Sequence, residues 1–550
     1  MNKIVKKILV TCALPYANGE IHLGHILEHI QADIWVRYQR MIGNKVYFIC
    51  ADDSHGTPIM LKSKKLNISP EFIIKKINLQ HQKDFLGFDV IYDNYHSTHS
   101  NENYVLSRYI YKQLKKNGYV KSRLVSQFYD FEKNIFLSDR FVKGKCPVCY
   151  SIDQYGDNCE SCGSIYNSID LINPISIISG NTPIINNSEQ IFFDYITLKK
   201  KLLVWINSSI LQKQVVNKIK EWFKLGLRNW NISRDYPYFG FKIPGLYKKY
   251  FYVWFDAPIG YICSFKNLCF KYNNIDFNEF WDITSKVELC HFIGKDVIYF
   301  HSLLWPSILE VSGFRKPTFL FVHGYVTING VKMSKSKGTF IKASTYLNYL
   351  DSDCLRYYYS TKLSTNIEDI DINLEDFTQR VNNDLVNKIV NLAIRNSNFI
   401  YKFFNYKLSK IIAEPSLYKF FIKMSILVGE FYSKLKISNV IKIIIILVKI
   451  ANRYIDKKSP WKLVKNKKLI HYLHSICSMG IELFRILMIF LKPIVPSLSK
   501  RVEFFLNIEL NWHDIKLPLY FHTIKYVKIL FSRININVVN KIFSDSFKKK

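Results

Sequence analysis

The sequence predicts an α/β protein whose parallel-sheet domain is interrupted by a cysteine-bearing insertion and followed by an all-α helix bundle. First, an apolar run at residues 8–10 precedes a break at Pro15 and Gly19 and then helical apolar spacing, the pattern of a buried parallel strand that leads into a helix. Second, four cysteines cluster between residues 146 and 162. Third, glycine becomes rare after about residue 388, and the apolar residues there repeat at helical spacing.

The first predicted helix begins at the sequence HLGH, residues 22–25, because apolar residues follow at helical spacing from Ile26 onward. A helix start presents unpaired backbone N–H groups and the positive end of the helix dipole, so it suits an anionic phosphate. Gly24 lets a nucleotide approach the backbone, and the imidazoles of His22 and His25 can donate hydrogen bonds to a phosphate. An ordinary helix start with two surface histidines is the alternative, but the full string PYANGEIHLGH is far more specific.

A second motif, KMSKS at residues 332–336, lies in a polar stretch that is followed by Gly338. Lys332 and Lys335 are compact point charges that can follow a phosphate as its geometry changes. Two lysines in a polar loop are more often a solvated surface, and that alternative applies to the motif taken alone. A cationic loop of this composition could also fold over a triphosphate.

The four cysteines form a pair of CxxC knuckles, CPVC and CESC, separated by nine residues. This spacing is typical of a structural zinc site with four thiolates. A disulfide framework is the alternative, but the other cysteines are scattered, and Thr11 and Pro15 interrupt the N-terminal stretch before it can form the apolar region of a secretory leader. The predicted ligands are Cys146, Cys149, Cys159 and Cys162.

Taken together, these three motifs resemble those of the methionyl-tRNA synthetases, class I aminoacyl-tRNA synthetases whose bacterial form carries one four-cysteine zinc site. The resemblance implies a doubly wound parallel-sheet (Rossmann-like) catalytic domain, split by a zinc knuckle that shapes an insertion over the active site and followed by an anticodon-binding helix bundle. It also implies that both signatures bind ATP, which carries Mg²⁺. The signature residues are Pro15, Tyr16, Ala17, Asn18, Gly19, Glu20, Ile21, His22, Leu23, Gly24, His25, Lys332, Met333, Ser334, Lys335 and Ser336.

The implied reaction is attack of a methionine carboxylate on the α-phosphate of ATP, followed by transfer of the methionyl group to the terminal adenosine of initiator or elongator tRNA(Met). Such chemistry asks the protein mainly for positioning and charge stabilisation. No nucleophilic side chain is required. The residues expected to stabilise charge are His22, His25, Lys332 and Lys335.

The residue types of the implied methionine pocket agree with its substrate. Tyr16, Trp254 and Phe300 would give aromatic walls, against which a thioether sulfur makes favourable contacts. Asp53 can pair with the substrate ammonium. Leu304 is a departure, because relatives often have Phe there, and it affects packing at the edge of the pocket. The implied pocket residues are Ala13, Leu14, Tyr16, Asp53, Trp254, Ala257, Pro258, Tyr261, Val297, Phe300 and His301.

In the C-terminal region, Asn387, Asn391 and Arg395 repeat every four residues and would share one face of a helix. Such a polar line is usually a solvated surface. However, unpaired bases are read by amide and guanidinium groups together with aromatic side chains. The resemblance implies that Asn391, Arg395 and the later Trp461 contact a CAU anticodon, with Asn387 in a supporting role.

Five segments are predicted from these placements. Residues 1–115 and 251–325 would form the two halves of the catalytic domain, and residues 116–250 the insertion. Residues 326–388 would carry the KMSKS loop, and residues 389–550 the anticodon-binding bundle. Many relatives carry a further C-terminal domain that dimerises, whereas this sequence stops at Lys550, so we expect a monomer.

Composition agrees with these assignments without deciding them. The net charge of +33 suits a polyanionic partner such as tRNA, but an A+T-biased genome would also encode abundant Lys, Asn and Ile. The apolar run at residues 443–448 is bracketed by Lys442 and Lys449 and is far shorter than the roughly 20 residues that cross a bilayer. A second run, at residues 487–491, is followed by Lys492 and Pro493. We therefore expect no membrane segment and a cytoplasmic location.

Three alternatives remain open. A class I synthetase for valine, isoleucine, leucine or cysteine would share both signatures, although the branched-chain enzymes have a longer editing insertion and the cysteine enzyme uses zinc to bind its substrate. A catalytically inactive tRNA-binding protein is opposed by the intact His22, His25 and Lys335. Small adenylyltransferases with a similar histidine motif lack the zinc insertion and the bundle.

Overall fold

The computed structural model describes the chain except for residues 1–4, 157–158, 160, 163, 165, 209, 333–339 and 548–550. At its centre lies a six-stranded sheet whose neighbouring strands are all parallel. In spatial order its strands are Ile210–Leu211, Phe319–His323, Glu288–Gly294, Lys7–Cys12, Lys45–Asp52 and Asn94–Ser97. The predicted α/β class and its parallel sheet are therefore confirmed.

The sheet is doubly wound about its first strand, Lys7–Cys12. From this strand the chain adds Lys45–Asp52 and Asn94–Ser97 on one side, and later Glu288–Gly294 on the other. Alternate residues of the first strand face different cores, Ile8 on one side of the sheet and Leu9 on the other. Open α/β sheets bind ligands where the strand order reverses, outside the carboxyl ends of the strands.

Helices cover both faces of this sheet. The helix Leu23–Met41, here called the signature helix, packs on the face that includes Ile8, together with the end of the helix Pro70–Gly87. The helices that contribute to the opposite core are Asn101–Lys116, Lys199–Ser208, Lys213–Leu225, Ile259–Lys271, Phe277–Trp281 and Trp305–Ser312. The helix Val253–Asp256 also contributes Phe255 to that core, and the helix Thr57–Leu66 follows the strand Lys45–Asp52.

The insertion consists mainly of antiparallel strands. A four-stranded sheet contains, in spatial order, Trp230–Asn231, Ile184–Phe193, Val120–Asp130 and Ile135–Phe136. A three-stranded sheet next to the cysteines contains Gln154–Tyr155, Val142–Lys145 and Ile172–Ser176, and a separate hairpin pairs Ser233–Asp235 with Lys249–Phe251. Single 3₁₀ turns lie at Asp139–Phe141, Ser168–Asp170 and Ile196–Leu198.

After the central sheet the chain forms a small connecting unit. Its three-stranded sheet contains Val331–Lys332, Val326–Ile328 and Ile370–Ile372. Its helices are Ala343–Leu347, Ser352–Lys362 and Leu374–Arg380. The KMSKS residues Met333, Ser334, Lys335 and Ser336 lie outside the described residues.

The C-terminal region is helical, as predicted. Its first helix starts as a π-helical segment, Val381–Val390, and continues as the α-helix Asn391–Phe403. The later helices are Pro415–Ser433, Ile437–Lys458, Pro460–Leu463, Ile470–Leu491, Pro496–Leu506 and Ile536–Phe547, and 3₁₀ turns lie at Lys467–Leu469 and Trp512–Lys516. The apolar run at residues 443–448 is only partly buried, because Ile446 is 52% exposed on the outer face of its helix.

Within the described part of the chain, one segment, Lys467–Leu491, is long and apolar enough to cross a membrane by length and composition alone. The apolar run identified from the sequence at residues 487–491 covers only the end of this segment. Within the structure, 94% of its most apolar window is buried, and it contacts the helices Asn391–Phe403 and Ile437–Lys458. It is the central helix of the bundle.

The signature helix also joins the sheet to the bundle. At its C-terminal half, Tyr38 stacks on Tyr432 of the bundle with ring centroids 4.7 Å apart. Near its middle, the Asp33 carboxylate accepts a hydrogen bond at 2.7 Å from Arg356, whose guanidinium also donates to the carbonyl of Ile494. Arg356 is fully buried, so this contact is a desolvated ion pair at the junction.

The five predicted segments stay a prediction, since the structure does not divide the chain into units. Two placements bear on them. The strand Ile210–Leu211, from the predicted insertion, pairs with Phe319–His323 at the edge of the central sheet. Moreover, the last helix, Ile536–Phe547, packs on the connecting unit rather than only on the bundle.

Candidate functional site

A cavity of about 600 Å³ opens at the carboxyl edge of the central sheet, where the strand order reverses. It lies between the signature helix, the strand ends and the insertion. Of the predicted site residues, it is lined by Ala13, Leu14, Pro15, Tyr16, His22, Gly24, His25, Asp53, Trp254 and Val297. The residues that the sequence assigned to ATP and to the amino acid thus meet in one place.

The start of the signature helix fixes the orientation of both histidines. His22 Nδ1 accepts a hydrogen bond from the Gly24 N–H at 3.0 Å, and His25 Nδ1 accepts one from the His22 N–H at 3.4 Å. A ring nitrogen that accepts cannot carry the proton, so each neutral imidazole has its proton on Nε2. The rings stack with centroids 3.6 Å apart. Two Nε2–H donors therefore lie side by side at the rim of the cavity.

The loop before this helix, residues 15–21 and here called the signature loop, is tied to the next strand. The Asp53 N–H donates to the Pro15 carbonyl at 2.8 Å, and the Ala17 N–H donates to the Asp53 carbonyl at 2.8 Å. Position 56 requires a glycine, because its φ is +118° and an added Cβ would lie 2.8 Å from the Tyr16 hydroxyl oxygen. The signature loop and Asp53 consequently form one packed unit.

The second signature reaches the first through its C-terminal flank. Lys332 ends the strand Val331–Lys332, and the chain is described again from Phe340. The ring of Phe340 contacts the ring of His22 edge-on with centroids 4.7 Å apart, and the Leu23 N–H donates to the Ile341 carbonyl at 3.0 Å. The undescribed KMSKS residues are therefore joined to a segment that lies against the start of the signature helix.

A smaller pocket of about 50 Å³ extends inward from the large cavity. All the predicted methionine-pocket residues except Tyr16 line it, and Tyr16 lines the large cavity. The outer part of the pocket is aromatic, because Trp254 and Phe300 stack with centroids 4.1 Å apart. The further lining residues are Leu304, Trp305 and Ile308, and Leu304 is 1% exposed.

The inner end of the small pocket carries a fixed polar pair. His301 Nδ1–H donates to the Val297 carbonyl at 3.0 Å, so its Nε2 accepts from the Tyr261 hydroxyl at 2.7 Å. Burial lowers the pKa of His301 to about 4, which keeps the ring neutral at neutral pH. The π-helical turn Phe300–Leu304 holds both Phe300 and His301 towards the pocket. The pocket is apolar with one oriented hydroxyl–imidazole contact.

Asp53 lines both the large cavity and the small pocket. It is 8% exposed, and no described residue offers a hydrogen bond to its Oδ1. Burial and the nearby charge of Asp256 raise the pKa of Asp53. Asp256 itself shares a hydrogen bond with Nδ1 of the buried His55. An unpaired buried carboxylate oxygen is costly, so this site favours a cationic ligand group.

Three lining residues, Glu28, Asp296 and His323, were missed by the sequence analysis. Glu28 accepts a hydrogen bond from the Ala13 N–H at 2.6 Å, and its other oxygen lies 3.2 Å from His323 Nε2. Helical spacing could have identified Glu28, which lies one turn after Gly24. Asp296 and His323 lie at or just after the carboxyl ends of parallel strands, where ligand-binding residues are expected.

The insertion contributes one side of the large cavity. Its lining residues there are Ser138, Asp139, Arg140, Arg234 and Tyr238, and Tyr252 lines the cavity just after the insertion. Arg234 lies over the Tyr252 ring with 3.6 Å from its guanidinium carbon to the centroid. The Thr57 and Ser138 hydroxyl oxygens are 3.2 Å apart, which joins the insertion to the helix Thr57–Leu66. No local sequence pattern marks these residues, because only the tertiary fold brings them to the site.

The predicted metal ligands converge. The four cysteine sulfurs all lie within 4.8 Å of one another, with Cys146 and Cys162 3.9 Å apart and Cys149 and Cys159 3.5 Å apart. Four sulfurs bound to one zinc at about 2.3 Å would lie about 3.8 Å apart, so the spacing fits a tetrahedral ion. Hydrogen bonding with Ser151 lowers the pKa of Cys149 to about 6, which favours a thiolate ligand. The cluster can hold one metal ion.

The predicted anticodon residues are brought together only in part. The guanidinium carbon of Arg395 lies 5.2 Å from the centroid of the Trp461 ring, and Arg395 also donates to Asp456 at 2.8 Å. Asn387 and Asn391 line a separate groove of about 400 Å³ with residues 528–531. Asn387, Asn391 and Arg395 lie along one helix that starts as a π-helical segment, whereas Trp461 lies on the short helix Pro460–Leu463.

Comparisons with known proteins agree with this geometry. The family model described as tRNA synthetases class I (M) matches residues 8–397. Two solved structures of methionyl-tRNA synthetase from Mycobacterium tuberculosis are similar in fold. The complex with methionyl-adenylate has a TM-score of 0.80 and 20% sequence identity, over 96% of this chain and 100% of that chain. The apo form has a TM-score of 0.73 and 19% identity, over 97% and 99%.

Proposed function

This chain belongs to the class I tRNA synthetases of the family designated (M), and from that premise we propose that it is a methionine-tRNA ligase. It activates L-methionine with ATP to methionyl-adenylate and transfers the methionyl group to the 3′-terminal adenosine of initiator and elongator tRNA(Met). The observation that carries this proposal is the small buried pocket, which combines aromatic walls, a neutral hydroxyl–imidazole pair and an unpaired carboxylate beside the signature histidines.

The pocket would bind methionine from its two ends. Asp53 pairs with the ammonium group, because its Oδ1 is buried and has no described partner. The thioether side chain extends inward between Trp254 and Tyr261, where sulfur–aromatic contacts contribute roughly 0.3–1.5 kcal/mol each. The Tyr261 hydroxyl and His301 limit the depth of the pocket. At about 50 Å³ the pocket must widen for this side chain, and the stacked Trp254 and Phe300 are the residues that would separate.

This binding mode directs the methionine carboxylate into the large cavity, towards the histidines. The Nε2–H groups of His22 and His25 would donate to the α-phosphate as charge grows on it during attack. The N-terminal end of the signature helix adds its unpaired N–H groups and dipole. We assign Lys332 and Lys335 to the leaving pyrophosphate on the basis of the family signature, since Lys335 lies outside the described residues.

The remaining wall of the large cavity suits the nucleoside. Glu28, Asp296, Gly24 and Gly294 all line this wall, and carboxylates accept hydrogen bonds from ribose hydroxyls. The Ala13 N–H and His323 hold the Glu28 side chain in place. The ribose would then lie between the strand ends and the signature helix.

Two metal ions fit the proposal. Zinc suits the four-thiolate cluster, where it would hold together a small loop-rich unit that lacks a large core of its own. Because Ser138–Arg140 of the same insertion line the active cavity, the zinc unit would shape one wall of the site. Mg²⁺ would arrive with ATP and neutralise charge on the phosphates.

For the tRNA, the bundle offers an aromatic and a cationic group side by side. Trp461 is 41% exposed, so a base can stack on it while Arg395 donates to the base or the backbone. Asn391 and, more weakly, Asn387 would contact neighbouring nucleotides of the CAU anticodon. The pairing of Arg395 with Trp461 is the support for this assignment.

ATP–pyrophosphate exchange tests the proposal directly. Purified protein is assayed without tRNA, with each of the twenty amino acids offered separately. Exchange with methionine alone is the expected result. Exchange with a different amino acid would keep the class of enzyme but overturn the pocket assignment. Exchange with none would overturn the proposed activity and favour an inactive tRNA-binding protein.

A further inference from the structure

His81 lies behind the active cavity, on the helix Pro70–Gly87, and is 1% exposed. Its Nδ1 is 2.7 Å from Asp52 Oδ1, and its Nε2 is 2.7 Å from the carbonyl oxygen of Gly19. A carbonyl oxygen and an ionised carboxylate can only accept, so both ring nitrogens must donate. The geometry therefore requires a buried imidazolium between two acceptors.

The surroundings of Asp52 support this charge state. The Tyr95 hydroxyl donates to Oδ1, and the Asn78 amide donates to Oδ2 at 2.7 Å. Asp52 thus accepts from three donors and is fully buried, which suits the carboxylate form. Burial tends to lower the pKa of His81, but its hydrogen bond to Asp52 and the charge of Asp52 raise it overall.

Gly19 belongs to the signature loop, three residues before His22. Two other contacts hold this part of the loop. Lys62 donates to the Asn18 carbonyl at 2.8 Å, and Lys342 pairs with Glu20 at 2.5 Å. The Lys342–Glu20 pair has side chains 44% and 46% exposed, and exposed ion pairs contribute little. His81 is the buried, charged anchor of the loop.

We propose that His81 is a positioning residue for adenylate formation, since it holds Gly19 and thereby the loop that brings His22 and His25 to the α-phosphate. Loss of its proton removes one of the two hydrogen bonds, so the anchor weakens as the pH rises. This inference rests on the proposed function. His81 lines neither cavity, so it acts on the reaction rate and not on methionine binding.

The groups that face His81 all favour or tolerate the imidazolium. Asp84, on the same helix, is buried, and its Oδ2 has no hydrogen-bond partner among the described residues. Burial raises the pKa of Asp84, the charge of Glu20 raises it further, and the charge of Lys83 lowers it. Tyr95, from the third strand, stays neutral because burial raises its pKa. His29, from the signature helix, is neutral because burial lowers its pKa to about 3. Asp52 and Asp84 are therefore the charges that oppose loss of the proton.

The test compares His81→Gln with wild type in ATP–pyrophosphate exchange across neutral and alkaline pH. We expect kcat at neutral pH to fall about 10–100-fold, the scale of a misplaced catalytic group. The methionine KM should stay within about threefold. For wild type we expect kcat to decline at alkaline pH, and the variant should lack that decline. His474→Gln is the matched control, because His474 also bonds a carbonyl, that of Lys407, at 2.7 Å, but lies in the bundle.

A second measurement is independent of activity. In ¹⁵N-histidine-labelled protein, the resonances that disappear in His81→Gln report the ring of His81. Protons on both nitrogens at neutral pH are expected, and a proton on only one would overturn the proposal even if the protein activated no amino acid. An unchanged alkaline decline in His81→Gln would also overturn it. The proposal would also be overturned if His81→Gln lowered the unfolding temperature but left kcat and its pH dependence unchanged, since that result would assign His81 a purely structural role.

Discussion

The methionine pocket and the proposed anticodon-binding face differ in how completely their side chains are fixed before a ligand arrives. Tyr261 and His301 are 2% and 5% exposed, and each has a defined hydrogen-bond partner. Trp461 is 41% exposed, and Arg395 pairs with an Asp456 whose side chain is 57% exposed. A small amino acid must be selected by a preformed dry pocket, whereas a nucleic-acid base can be stacked on an exposed ring.

This difference has an energetic consequence. In the pocket, each polar group is buried, so removal of one partner leaves the other without a hydrogen bond and costs about 0.5–3 kcal/mol, most for a charged group. On the bundle face, solvent can replace a lost partner, and the loss is limited to the contact with RNA. Changes near the signature histidines and Asp53 should therefore affect the chemistry, while changes around Trp461 should affect only the tRNA-dependent step.

The largest effect is expected for His25→Ala. The variant loses one oriented Nε2–H donor, and removal of a preorganised charge-stabilising donor slows reactions by about 10²–10³-fold. The decrease should appear in kcat for ATP–pyrophosphate exchange. His471→Ala, which removes an exposed histidine of the bundle, is the control. A nearly normal rate in His25→Ala would remove His25 from the catalytic role.

Asp53→Asn should act mainly on methionine binding. Loss of a charge-assisted bond of about 1.5–3 kcal/mol predicts a methionine KM higher by about 10–150-fold. In wild type, this KM should also rise as the pH falls through the raised pKa of Asp53, because a protonated carboxyl cannot pair with ammonium. The variant should lack that pH dependence. Glu509→Gln, at a side chain that is 72% exposed, is the control.

Should methionine KM instead show the same pH dependence in Asp53→Asn as in wild type, another group would have to bind the ammonium. Asp256 would then be the next residue to test, since it is the carboxylate that raises the pKa of Asp53.

Tyr261→Phe should have the smallest effect in the pocket. It removes the hydroxyl that donates to His301 Nε2 and leaves the ring in place. A neutral hydrogen bond is worth about 0.5–1.5 kcal/mol, so methionine KM should rise about 2–10-fold. Tyr247→Phe, at an 84% exposed tyrosine, is the control. No change in KM would indicate that the hydroxyl does not orient the inner end of the pocket.

Much of the fold was predictable because local patterns coincide with tertiary roles. The strand before HLGH, the helix that follows and the paired CxxC spacing are each encoded in a short stretch. Resemblance to a family supplied the residues of the small pocket, and the structure gathers them around one cavity. Helical spacing could also have identified Glu28, because it places this residue one turn after Gly24.

Other features had no local signal. The strand Ile210–Leu211 is only two residues long, too short for an alternating pattern, and joins the sheet through long-range pairing. Arg140 and Arg234 reach the cavity from the insertion, so their role depends on how two remote segments pack. His81 lies in an amphipathic helix, where its spacing resembles that of any buried residue, and only its two acceptors identify it.

The proposed division between chemistry and tRNA recognition is tested most directly by Trp461→Ala in two assays on the same preparation. Base–aromatic stacking is worth about 1–3 kcal/mol, so kcat/KM for charging of tRNA(Met) should fall about 5–150-fold. ATP–pyrophosphate exchange with methionine, which needs no tRNA, should remain within about twofold of wild type. Equal losses in both assays would contradict the account, because Trp461 would then support the active site and not the anticodon.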